Sequence, residues 1–331
     1  MNPEMTRRNF LRGIVLPAAV YLAESLANNI PDSVFAAQEA TYNQAPAQGD
    51  PLPEKFRKLD KVVYEKPEEL FKIAKEISGI GCGIVGRKLD RDGNDISRRQ
   101  HLLEESEFYR VVNDEDGCAG NERIYESAFG LVLPNSNSAF INLTRIMFPN
   151  ADTQRNPRAA TWSLAVMMHE AIHQVVKNVQ LDPPADLRDS EGNIIKAFVR
   201  HGVTFVHPLY SASREGRVCF SATGTHIEEA IVEHGNTMFL KGEGFNYDPP
   251  VYTEQVAAYH GRIIVPYFDG VYMEQLKLYA DTDPDAYFTN IGRRYKASPI
   301  NRISFPGIEE ASDSRIGELV LVRAIPRMNS D

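Results

Sequence analysis

The sequence has three cysteines in 331 residues, a single tryptophan and no Cys-x-x-Cys pair. That is too sparse for a disulfide scaffold, and it excludes a zinc site built from paired cysteines. No stretch reaches the ~20 consecutive apolar residues that a membrane span needs. No repeat period or long low-complexity tract occurs, so a solenoid or a wholly disordered chain is excluded. Positive charge is also lacking: the net charge of −9 argues against nucleic acid or an anionic membrane surface as partner. What is present, 43% hydrophobic residues over 331 positions, is enough for one two-lobed domain or two small ones.

The first residues read as a processing segment. Thr6-Arg7-Arg8-Asn9-Phe10-Leu11-Arg12 resembles the twin-arginine export signal, followed by a modest apolar stretch, Gly13 to Ala23. Ser33-Val34-Phe35-Ala36-Ala37 then offers small residues to a signal peptidase. Pro17 and Glu24 interrupt the apolar stretch, which disfavours a membrane anchor. The resemblance implies a signal peptide over 1–36, the twin-arginine translocase as a transient partner, and a soluble mature form in the periplasm or outside the cell. Residues 37–53, rich in Ala, Gln and Pro, read as a flexible linker, leaving 54–331 for the folded part. In an exported chain, Cys82, Cys118 and Cys219 allow one disulfide and one thiol, with Cys82 and Cys118 the preferred pair from their Gly-rich surroundings; three buried thiols is the alternative.

Further along, Leu70, Ile73, Ala74 and Ile77 share one helical face. Asp90 to Asp95 reads as a polar turn and not as a calcium loop, because no Glu occupies the closing position. Phe129–Leu133 and Ala139–Leu143, separated by Pro-Asn-Ser-Asn, predict a β-hairpin. A helix is expected from Asn156-Pro157 to about Asn178, before Pro183-Pro184. Strand-like pieces follow at Ile194–Phe198, Val203–Val206 and Val218–Phe220, then a helix over His226–Leu240 and a mostly helical remainder from Tyr252. Strands first and helices last predict an α+β protein.

The helix expected after residue 156 is the physical oddity. Trp162, Leu164, Val166, Met167, Ile172, Val175 and Val176 make it apolar on nearly every face, yet it carries His169, Glu170 and His173. Buried polar groups need partners. Two histidines four apart leave one face of a helix one turn apart, where both can chelate a single Zn²⁺ at about 2.0–2.1 Å. Glu170, rotated about 100°, points beside such an ion, placed to take a proton from a water the metal acidifies toward a pKa of about 7.

His169-Glu170-Ala171-Ile172-His173 resembles the zincin metallopeptidase motif, with Val166 before it and Gln174-Val175 after it fitting the extended pattern. The resemblance covers two helices, about a fifth of the chain. It implies a zincin-like fold: a small β-sheet lobe, the motif helix and a mainly helical C-terminal lobe. The metzincin subgroup would require Gly at 176 and His at 179, where this chain has Val176 and Val179. The gluzincin subgroup draws a third ligand, Glu, from a later helix, and Glu228-Glu229-Ala230-Ile231-Val232-Glu233 is similar to that helix. Thr225-His226-Ile227-Glu228 reads as a capping box that occupies Glu228, which leaves Glu229 as ligand, with Glu233 and His226 as competitors. Glu233 then fits the carboxylate that orients one zinc-bound imidazole through its other nitrogen.

The implied protein is an exported hydrolase acting on a peptide or protein substrate, with one Zn²⁺ held by His169, His173 and Glu229, and Glu170 as base. Gluzincins also use a His or Tyr against the developing oxyanion; Tyr252, Tyr259 and His260 are the downstream candidates, and His201 and His207 could line a cleft. A di-iron bundle needs a second Glu-x-x-His unit, and none lies near 226–240. A non-catalytic exported metal-binding or structural protein of zincin-like shape is the other alternative.

Overall fold

The apolar face expected around residues 70–77 falls in helix α1 (Pro67–Leu89), which opens on proline and closes on Arg87 and Lys88. Its buried side is Ala74, Ile77, Ile84, Val85 and Leu89. These come from a computed structural model, which describes residues 67–89, 99–116, 128–133, 138–148, 159–176, 178–181, 198–210, 218–245, 247–249, 252–281, 284–299 and 310–327. The expected 1–36 leader, the expected 37–53 linker, the turn expected at Asp90–Asp95, Cys118 and Asn156-Pro157 lie outside the described residues. Cys82 is buried within α1, where Gly81 and Gly83 are helical and not loop residues.

Strands β1 (Gln100–Leu103), β2 (Gly130–Leu133) and β3 (Ser138–Asn142) form a three-stranded sheet with β3 in the middle. β1 runs parallel to β3, and β2 pairs with it as the expected antiparallel hairpin, Leu131 opposite Phe140. Alternation along β3 serves two cores. Phe140 packs with Phe108 of α2 (Glu105–Asp116), while Ile141 on the other face joins the main core. Leu143, expected at the end of this strand, instead begins α3 (Leu143–Met147). The Asn142 side chain accepts from Arg145 N–H at 3.0 Å and starts a helix there.

Helix α4 (Ala159–Val175) carries the His-Glu-x-x-His segment and packs on α1, β2 and β3. Leu164, Met167, Met168 and Ile172 are fully buried. The helix was expected to reach Asn178. It stops at Val175, because Asn178 is taken into strand β4 (Asn178–Leu181) opposite His201. β4, β5 (Phe198–His201), β6 (Thr204–Tyr210) and β7 (Val218–Thr223) form an antiparallel four-stranded sheet in chain order. Val203, expected in a strand, sits instead in the two-residue turn between β5 and β6, since His201 pairs with Thr204.

Helix α5 (Thr225–Gly242) leaves β7 and packs on α4. Then come α6 (Thr253–Tyr259), a π-helical segment His260–Ile264, and α7 (Val265–Phe268). The π turn forms where Pro266 offers no N–H and Val265 N–H reaches back to His260 O. α8 (Tyr272–Asp281), α9 (Pro284–Ala297) and α10 (Asp313–Ala324) complete the helical part. The architecture is α+β, two small sheets with mostly helical content among the described residues. No described helix is long and apolar enough to cross a membrane.

Candidate metal centre

α4 and α5 lie against each other, and that contact brings the polar residues of both together inside the core. His169 Nε2 and His173 Nε2 stand 3.1 Å apart. Glu229 of α5 reaches them with Oε2 at 3.0 Å from His169 Nε2 and Oε1 at 3.7 Å from His173 Nε2. The three side chains offer one ligand atom each within 4.8 Å of one another, and among the described residues they are the group of this kind.

The outer ring nitrogens face carboxylates as well. His169 Nδ1 is 2.6 Å from Glu233 Oε2, and His173 Nδ1 is 3.5 Å from Glu228 Oε1. Glu233 is itself held by Tyr247 OH at 3.0 Å and Asn236 Nδ2 at 3.2 Å. A proton on each Nδ1, facing its carboxylate, leaves both Nε2 atoms as lone-pair acceptors turned to one point with the Glu229 carboxylate. Three acceptors converging need a positive charge between them. A tetrahedral ion with ligands at ~2.05 Å would space them about 3.3 Å apart; the two Nε2 atoms stand 3.1 Å apart, and Glu229 meets one with Oε2 at 3.0 Å and the other with Oε1 at 3.7 Å. The donor set fits zinc.

The electrostatics of the metal-free centre follow from the same convergence. Burial opposes a charge on His169, but bonds to Glu229 and Glu233 and their charges hold its pKa well above the ordinary histidine value. Burial is likewise outweighed at His173, which Glu228 and Glu229 lift to about 9. Burial works against ionised Glu229 too, yet bonds from both imidazoles keep it far below the usual carboxylate range.

Glu170 is different. It is buried, its carboxylate lies against β2, and a Cβ on Gly130 would sit 2.6 Å from its Oε1. Burial raises its pKa to about 7; the two imidazoles pull it down, and Glu229 and Glu233 push it up again. A carboxyl balanced near neutrality can both take and return a proton.

Of the downstream candidates, Tyr252 is the one whose phenol feels the charges of the centre's carboxylates. The charge of Glu229 first, then burial and the charges of Glu170 and Glu233, hold its phenol well above the usual range, so it stays a donor. Its backbone is left-handed (φ 62°), a conformation a bulky residue rarely adopts. Tyr259 is fully buried against Tyr287 OH at 3.2 Å, and His260 pairs with His234 at 3.0 Å; neither joins the centre. His226 stands apart as well, its pKa lowered to about 4 by burial and the Arg327 charge. The side chains of His201 and His207 lie outside those described.

The expected capping box is not formed. Gly224 is the N-cap in left-handed conformation with no side-chain bond, and its carbonyl accepts from Ile227 and Glu228 N–H. The Glu228 carboxylate is drawn away by Val203 N–H, Tyr279 OH and His173. Spacing shows only that the three carboxylates share a side of the helix: at 100° per residue, 228, 229 and 233 span about 140° of one face. Tyr247, Tyr279 and Gly202 had no such signal.

No family model matches the chain, and no curated protein or solved structure matches it.

Proposed function

We propose that this chain is an exported zinc-dependent metallohydrolase that cleaves peptide bonds, with a zincin-like arrangement of α4 beneath β2 and α5 supplying the acidic ligand. One observation carries the reading: two Nε2 atoms and a carboxylate converge on one point while each Nδ1 is turned to another carboxylate. That is a ligand set with its orienting partners in place. His169, His173 and Glu229 would hold the ion, which supplies Lewis-acid polarisation of water and carbonyl oxygen when bound.

The chain's own groups do the rest. Glu170, near neutral pKa and walled by Gly130, takes a proton from the attacking water and returns it to the leaving amine nitrogen. Tyr252 O–H donates to the carbonyl oxygen as negative charge develops there. Glu233, fixed by Tyr247 and Asn236, keeps His169 in one tautomer. The export part rests on the sequence of residues 1–36.

The test is metal analysis together with turnover of a mixed peptide library. The mature protein should carry about one zinc per chain and cleave peptides, and Glu170→Gln should keep the zinc while losing cleavage. Zinc without cleavage in the parent protein would favour a non-catalytic metal-binding role, and no zinc after gentle refilling would end the proposal. Two irons per chain would point to the other chemistry.

A further inference from the structure

Two imidazoles are anchored in the centre, and the anchors differ. The partners of Glu233, namely His169, Asn236 and Tyr247, come from α4, α5 and the segment just after it. Glu228 instead reaches out to two distant parts of the chain. Its Oε2 accepts from Val203 N–H at 2.9 Å, in the β5–β6 turn, and from Tyr279 OH of α8, while Oε1 faces His173 Nδ1 at 3.5 Å. Glu228, Val203 and Tyr279 are all buried.

The turn is built to make this approach. Gly202 has φ +56°, and a Cβ there would run into the Tyr279 hydroxyl and the Glu228 carboxylate. A side chain at 202 would have to push the backbone donor away from Glu228. Glu228 has no helix-capping duty either, since Gly224 starts α5 without it. A buried carboxylate is costly unless its charge is used, and among the described residues the charged partner facing its Oε1 is His173, at 3.5 Å.

We propose that Glu228 is a positioning residue for His173, latched by the tip of the β5–β6 hairpin and by Tyr279, so that metal affinity depends on the docking of both elements. The inference rests on the metal reading above. It makes the centre responsive to parts of the fold that supply no ligand, and coupling of this kind is reciprocal: metal binding strengthens the docking of the hairpin and α8.

The experiment uses the mature chain and the variants Glu228→Gln, Tyr279→Phe and Gly202→Ala. Zinc Kd is read by competition with a chromophoric chelator, thermal unfolding with and without chelator, and the visible spectrum after cobalt substitution. Glu228→Gln and Tyr279→Phe should bind zinc about 10–100-fold more weakly, the usual effect of removing a partner behind a ligand. Their cobalt spectra should shift, and Gly202→Ala should weaken zinc in the same direction. Variants that unfold earlier in chelator yet keep the parent zinc Kd and cobalt spectrum would overturn the proposal and make Glu228 merely structural. Tyr279→Phe, which removes one oxygen, keeps the test open if Glu228→Gln fails to fold. A parent chain that binds no zinc defeats the metal reading itself, whereas parent zinc binding with unaffected variants defeats this inference alone.

Discussion

Replacing Glu170 by Gln should make the metal-free protein more stable while leaving it without a proton acceptor. The folded chain holds the Glu170 proton up to about pH 7, whereas the ordinary value is 4.5, chiefly because burial disfavours the charge. Between those two values the folded state binds more protons than the unfolded one. Stability is therefore lost as pH rises from about 4.5 to 7, and the loss is complete above 7. At about 1.4 kcal/mol per pH unit, the ionised carboxylate costs the fold about 3 kcal/mol at pH 8. Gln fills the same volume and does not titrate. In chelator, Glu170→Gln should match the parent near pH 4 and exceed it by about 3 kcal/mol at pH 8, roughly 6–12 °C in Tm. Urea unfolding at several pH values reads the difference directly, with an unchanged m-value as the control. Equal stability at pH 8, or a gap that does not vary with pH, would refute the reasoning. A group kept at a cost to stability is what a site residue looks like.

Three other outcomes are expected. Glu229→Gln should drop zinc content well below one per chain, and chelation should then no longer lower Tm as it does in the parent, read by metal analysis and calorimetry. Tyr252→Phe should keep zinc and lower kcat on peptides by about 10²–10³-fold, the range for losing one oxyanion donor. His226, held neutral down to about pH 4 when folded but ordinarily protonated near 6.5, should make the protein acid-labile: stability falls as pH drops below 6.5, by about 2 kcal/mol at pH 5. His226→Leu should remove that part of the pH dependence in urea titrations at pH 7.5 and 5.

Much of this protein could be read along the chain because the signals are local. Helical periodicity placed α1, α4 and α5, since side chains three and four apart share a face whatever packs on it. The β2–β3 hairpin was legible from two apolar runs around Pro-Asn-Ser-Asn. The proximity of His169 to His173 and the separate direction of Glu170 follow from helix geometry alone. Boundaries were less legible, because a neighbour decides them: Asn178 left the helix for a strand partner at His201.

What residue 228 does was beyond local reading. By itself, Thr225-His226-Ile227-Glu228 is a good capping box, worth a kilocalorie or so. In the fold, Val203 N–H, Tyr279 and His173 compete for the same carboxylate in a buried place, where unpaired groups cost more than a cap returns. Which tyrosine faces the carboxylates was also undecidable from spacing, since Tyr252 caps α6 in left-handed backbone and a π segment lies between Tyr259 and Tyr279. The sequence by itself determined which groups can ligate and that they sit on helices. Only the tertiary structure decided which carboxylate serves which nitrogen, because that choice is made across elements far apart in the chain and by the cost of leaving a buried charge alone.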